Sequence, residues 1–154
     1  MYSVEDIANW FLYSIDRESG DSITHLKLQK LVYYAQAWSL ALSDKSLFEE
    51  EFQAWAHGPV VRSLYEIYKD SGWNALDLPD KPLIEFDAET EELLNDVWGI
   101  YGQHSAKYLE ELTHSEDPWI ITRGDLSPEE RSEKIISREL IISYYQELYK
   151  QHNG

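Results

Sequence analysis

Apolar residues recur at helical spacing from the start of the chain, where Val4, Ile7, Ala8, Phe11, Leu12 and Ile15 mark one face. Ser3 with Asp6 three positions on gives this first helix a capping box, and the polar, glycine-containing stretch 17–21 ends it. The next run differs in kind. After Thr24, a suitable N-cap, one side carries Leu28, Leu31, Val32, Ala35 and Leu42 with Trp38 or Ser39, and another carries Leu26, Tyr33, Ala37 and Leu40. Apolar residues on two faces predict a largely buried central helix over about 24–43. It leaves only a narrow polar stripe, Lys27, Lys30 and Tyr34, with Gln29, Tyr33 and Gln36 beside it.

Farther along, Phe52 and Trp55 in a loosely alternating stretch predict a short strand. Gly58 permits a sharp turn out of it. Pro59 is expected at the first position of a third helix, where its missing N–H costs nothing, with Val61, Leu64, Tyr65 and Tyr68 facing inward. Residues 83–86 form a second extended segment, and Asp87 caps a fourth helix that buries Leu93, Leu94, Val97, Trp98 and Tyr101. Ser105 caps a short helix, Pro118 starts another that Gly124 closes, and Ser127-Pro128 opens one or two further helical turns. Ile135 and Ile136 read as a third small strand, and Ser137 caps a last helix carrying Leu140, Ile141, Tyr144, Tyr145 and Leu148. The fold class that follows is mainly α: one compact helical domain over residues 1–154, built around the buried central helix, with a small two- or three-stranded β element.

Composition agrees with an independently folding chain, since 43% of the 154 residues are hydrophobic and 14% aromatic, far from the disordered corner. Charge changes the picture more. The net charge is −16, and residues 77–154, with 18 acids against 7 bases, hold most of it. Such a surface repels phosphate, so direct nucleic-acid binding is not expected; a partner with a basic surface is favoured. The first residues lack a basic region followed by an apolar core, and no apolar run approaches the about 20 residues of a membrane span. A cytoplasmic protein without membrane contact is the expectation.

Chemistry by motif is nearly empty. There are no cysteines, which removes disulfides, thiolate metal sites and cysteine nucleophiles together. The five histidines, at 25, 57, 104, 114 and 152, include no pair at helical ligand spacing. His114 with Glu116 and Asp117 is the best local group, and a Ser-Glu-Asp-Pro turn more simply starts a helix. No P-loop, dinucleotide fingerprint or nucleophile elbow occurs, so the expectation is a protein that is not an enzyme and needs no cofactor or metal.

Two runs carry a resemblance: Leu26-Lys27-Leu28-Gln29-Lys30-Leu31-Val32-Tyr33-Tyr34-Ala35-Gln36, and Phe52-Gln53-Ala54-Trp55-Ala56-His57-Gly58-Pro59-Val60-Val61. Together they resemble the Panacea domain, the SocA-like antitoxin family of bacterial and phage toxin-antitoxin systems. Weaker echoes follow at Val97-Trp98, Tyr101-Gly102, Thr113-His114 and Asp117-Pro118-Trp119. His25 stands where the family often has Pro, and Ala37 where Gly is frequent. The resemblance implies an antitoxin that neutralises a cognate toxin protein by direct contact. In a SocA-type branch it implies an adaptor that delivers the toxin to a ClpXP-type protease.

The candidate partner-binding residues are Lys27, Lys30, Tyr34 and Gln36 on the central helix, joined by His57 and Arg62 if the Gly58-Pro59 turn folds back on that helix. Two roles compete for them. Long polar side chains around an aromatic anchor suit an interaction hot spot. Equally, the lysines could form internal ion pairs and the glutamines could satisfy buried backbone groups.

Overall fold

The run after Thr24 forms the axis of the molecule. The structure, a computed structural model, describes residues 1–153. In it α2 spans His25–Ser43, and fourteen of its 19 residues are buried, so it is enclosed on nearly every side. The helix α1 (Val4–Ser14) packs against it, as do α3 (Arg62–Tyr68), α4 (Ala88–Tyr101), α5 (Ala106–His114) and α7 (Arg138–Asn153). The short α6 (Asp117–Arg123) joins α5 to the end of the sheet.

Local chemistry places the helix starts. Ser3 and Asp6 form a reciprocal capping box on α1. Thr24, Asp87, Ser105 and Ser137 each accept a backbone N–H from the first turn of α2, α4, α5 and α7 at 2.9 to 3.3 Å. Pro118 lies in the first turn of α6, and Gly124 closes that helix at φ +61°.

The sheet is antiparallel, in the order β2-β1-β3, with β1 at Phe52–Trp55, β2 at Gly58–Val60 and β3 at Ile135–Ile136. Pro59 is therefore a strand residue and not the start of α3, which begins at Arg62. The reason lies in the hydrogen-bond register. Ala54 pairs with Pro59, yet the Ala54 N–H donates away from β2 to Lys134 O at 2.8 Å. The pair is thus a non-hydrogen-bonded one, in which Pro59 needs no N–H and turns its carbonyl outward.

Two other segments differ from expectation. Residues 83–86 are extended but pair with no strand, and Phe86 packs on Tyr2 with ring centroids 4.8 Å apart. The turn at 127–130 stays non-helical because Arg123 Nη2 takes the carbonyls of Ser127 and Glu130 at 2.7 and 2.6 Å, while its Nη1 donates to Ala54 O at 2.9 Å.

The hairpin turn Ala56-His57 is closed by Gly58, which is needed twice: φ is +110°, and a Cβ there would lie 2.5 Å from Lys30 Cε and 2.8 Å from Thr113 Oγ1. A Gly58→Ala variant is expected to lose about 3 kcal/mol of stability in chemical denaturation, from backbone strain and overpacking together. A loss below about 0.5 kcal/mol would contradict this account of the turn.

Candidate functional site

The polar stripe of α2 points inward. Lys30 is fully buried and donates its Nζ to the outward-turned carbonyl of Pro59 at 3.1 Å. Two glutamines of the same helix, one residue before Lys30 and six after it, act alike. Gln29 accepts from Val61 N–H at 3.0 Å and donates to Val61 O at 3.3 Å. Gln36 accepts from Leu47 N–H at 2.7 Å and donates to Phe48 O at 2.9 Å. The amides thus satisfy the buried Val61 N–H, Leu47 N–H and Phe48 O, while Val61 O also accepts the Tyr65 N–H of α3 at 3.0 Å.

Tyr34 is also buried. Its ring stacks on Tyr101 at 4.0 Å, and its hydroxyl donates to Glu116 Oε1 at 2.8 Å. Tyr145 donates to the same oxygen at 2.8 Å, and the Tyr33 hydroxyl lies 3.1 Å from that of Tyr145. Lys27 is half-buried, donating to Gly102 O at 2.6 Å over the Trp98 ring.

This corrects the expected surface stripe. Lys30, Tyr34 and Gln36 contact the protein's own backbone and core, so they do not share an exposed patch with His57 and Arg62. The hairpin does fold back on α2, but His57 and Arg62 lie on its outer side. His57 Nδ1 is 2.9 Å from Glu110 Oε1, with its side chain 64% exposed. The sequence placed Tyr145 on an apolar helix face and Glu116 beside His114, but their meeting with Tyr34 gave no local signal, because Glu116 lies 82 positions from Tyr34 and 29 from Tyr145.

The outer face of the sheet is partly exposed. Gln53 and Trp55 alternate outward on β1, and Ile135, opposite Gln53, joins them from β3. Trp55 Nε1 donates to Gln53 Oε1 at 2.8 Å, and Tyr65 packs against the indole at 4.8 Å. Arg62 lies over the Trp55 ring, 5.7 Å from its centroid, and bonds Glu133 at 2.7 Å and Glu66 at 3.4 Å. Two clefts open there. One of about 650 Å³ is lined by Trp55, Ala56, His57, Glu129, Arg131, Ser132 and Glu133; one of about 370 Å³ by Glu49, Glu50, Glu51, Gln53, Val61, Arg62, Ser63 and Ile135. Among the described residues, no group of three or more His, Asp or Glu side chains is placed to hold a metal ion.

Burial perturbs the interior ionisable groups. It lowers Lys30 to about 7 against the raising influence of Glu110, and lowers His25 to about 4, helped by Lys30. Burial raises Glu116 to about 7, opposed by the hydrogen bonds from Tyr34 and Tyr145. Since the unfolded chain ionises Glu116 at lower pH than the folded one, its neutral form stabilises the fold fully below about 4.5, and that contribution is lost as pH rises to about 7. The difference in stability between wild type and Glu116→Gln should therefore move in favour of the variant by about 2–3 kcal/mol between those limits. Denaturation at several pH values measures it, and a difference independent of pH would contradict a buried, neutral Glu116.

The family model described as antitoxin SocA-like, Panacea domain, matches residues 28–120, from the first buried leucine of α2 to Ile120 in α6. No curated protein and no solved structure matches the chain. The matched span holds Gln29, Lys30, Tyr34 and Gln36 with the hairpin they support, as well as Glu110 and Glu116, and it covers well over half of the chain. By this match the chain belongs to the SocA-like antitoxin family and carries its Panacea domain.

Proposed function

We propose that the protein is a non-enzymatic antitoxin that neutralises one cognate toxin protein by direct, stoichiometric contact. Family membership is the observation that carries this reading. Physical chemistry supports it. A net charge of −16 complements a basic partner and repels nucleic acid, which favours contact with the toxin itself over repression of a promoter. Among the described residues no helix is long and apolar enough to cross a membrane.

Co-expression with the product of the neighbouring gene tests the proposal. Growth should be rescued equally in cells with and without a ClpXP-type protease, and the two proteins should co-purify in equal amounts. Rescue that vanishes without the protease would assign proteolytic delivery instead. Rescue at far below one antitoxin per toxin would assign an enzyme. Affinity of the purified pair should fall several-fold, mainly through slower association, when salt is raised to physiological strength and the screening length shortens to about 8 Å. An affinity indifferent to salt would contradict the role given to the charge.

A further inference from the structure

The outer face of the sheet holds an arrangement that the interior network does not need. Arg62, the first residue of α3, lays its guanidinium over the half-buried Trp55 and bonds Glu133 and Glu66 at the surface, with the Arg62 side chain 51% exposed. A planar, weakly hydrated cation on an indole face with carboxylates at its edge is the set of contacts by which proteins bind arginine. Acids outnumber bases around it: Glu49, Glu50 and Glu51 line one cleft and Glu129 and Glu133 the other, against Arg62 and Arg131. The larger cleft, about 650 Å³, runs along the same Trp55 and the same Glu133 that Arg62 engages, and is open to an incoming side chain.

Resting on the antitoxin reading, we infer that this face is an arginine-recognising docking site for a partner protein, and that Arg62 occupies it in the free protein and yields it to an arginine of the partner. The occupant is an arginine-bearing segment of the bound protein. Exchange of one guanidinium for another leaves the indole and the carboxylates satisfied in both states. It therefore costs little electrostatic energy, whereas a hydrophobic partner would take the guanidinium from Glu133 and offer nothing in return; Glu66 keeps Lys69, 2.8 Å away, in either case. Lysine fits less well, because an ammonium is a compact, strongly hydrated charge that cannot stack.

The test uses the full chain and two probes, acetyl-Gly-Arg-Gly-amide and acetyl-Gly-Lys-Gly-amide, titrated into nitrogen-15-labelled protein while the Trp55 indole N–H is followed, its resonance assigned through Trp55→Phe. The arginine peptide should shift that resonance and the lysine peptide should do so several-fold more weakly. Arg62→Ala, at an exposed position and with an unchanged melting temperature, should bind the arginine peptide at least threefold more tightly than wild type. Glu133→Gln in that background should return binding to the wild-type level or below. The inference is overturned if neither peptide moves Trp55 in wild type or in Arg62→Ala, if the two peptides act equally, or if Arg62→Ala binds more weakly. It is also overturned if the Trp55 resonance instead depends on protein concentration with dimer formation, which would assign the face to a second copy of this chain. A protein that binds the arginine peptide as described yet fails to rescue cells from the neighbouring gene's product would keep this site and remove the antitoxin reading; rescue without peptide binding would remove the site alone.

Discussion

A central helix closed in on nearly every side cannot carry a polar stripe unless every buried group on it finds a partner, and the chain meets that constraint by turning the stripe against its own backbone. Pro59 O, Val61 N–H, Leu47 N–H and Phe48 O have no ladder of their own, and Lys30, Gln29 and Gln36 supply the missing half of each bond. An unsatisfied buried group costs about 1–3 kcal/mol, so these three side chains decide where the hairpin and the segment before it can lie. The rest follows from that placement. With β2 held against α2, β1 is carried with it, β3 adds on the far side, and Gln53 and Trp55 are left facing solvent.

The buried ionisable groups on this frame are tolerated for different reasons. Lys30 has a carbonyl to donate to and the charge of Glu110 nearby, while Glu116 draws two tyrosine hydroxyls and gives up its own charge more readily than a surface carboxylate would. In both, the hydrogen bonds go to fixed protein groups. The ordered interior and the open sheet face therefore divide the labour: polar side chains inside fix the hairpin, and the hairpin presents Trp55 outside, beside the acids of the segments that flank the sheet.

Much of the fold was legible because its signals are local. Ser3, Thr24, Asp87, Ser105 and Ser137 each bond a backbone N–H three residues away, so a cap can be read from four residues. Burial of α2 was legible from its two apolar faces. Its polar stripe was not, since periodicity says which residues share a face and not what that face meets; only the distant Val61, Leu47 and Phe48 settle it. Pro59 was ambiguous in the same way: a missing N–H suits the first turn of a helix and the outward position of an edge strand equally, and Lys30, 29 residues away, selects the strand. The outer-face site was half legible. His57 and Arg62 were picked out by their nearness to the turn, but the indole of Trp55, which organises Arg62, read as an ordinary strand aromatic.

The central claim is that the stripe of α2 is an internal clamp on backbone. Native-state hydrogen exchange at the Val61 and Leu47 amides tests it most directly, because their acceptors are the side chains of Gln29 and Gln36. The account predicts that both amides exchange only with global unfolding in the wild type. In Gln29→Ala and Gln36→Ala respectively, each should exchange by local opening at much lower cost, with the other amide unaffected. Wild-type exchange at the rate of an exposed loop amide would contradict it.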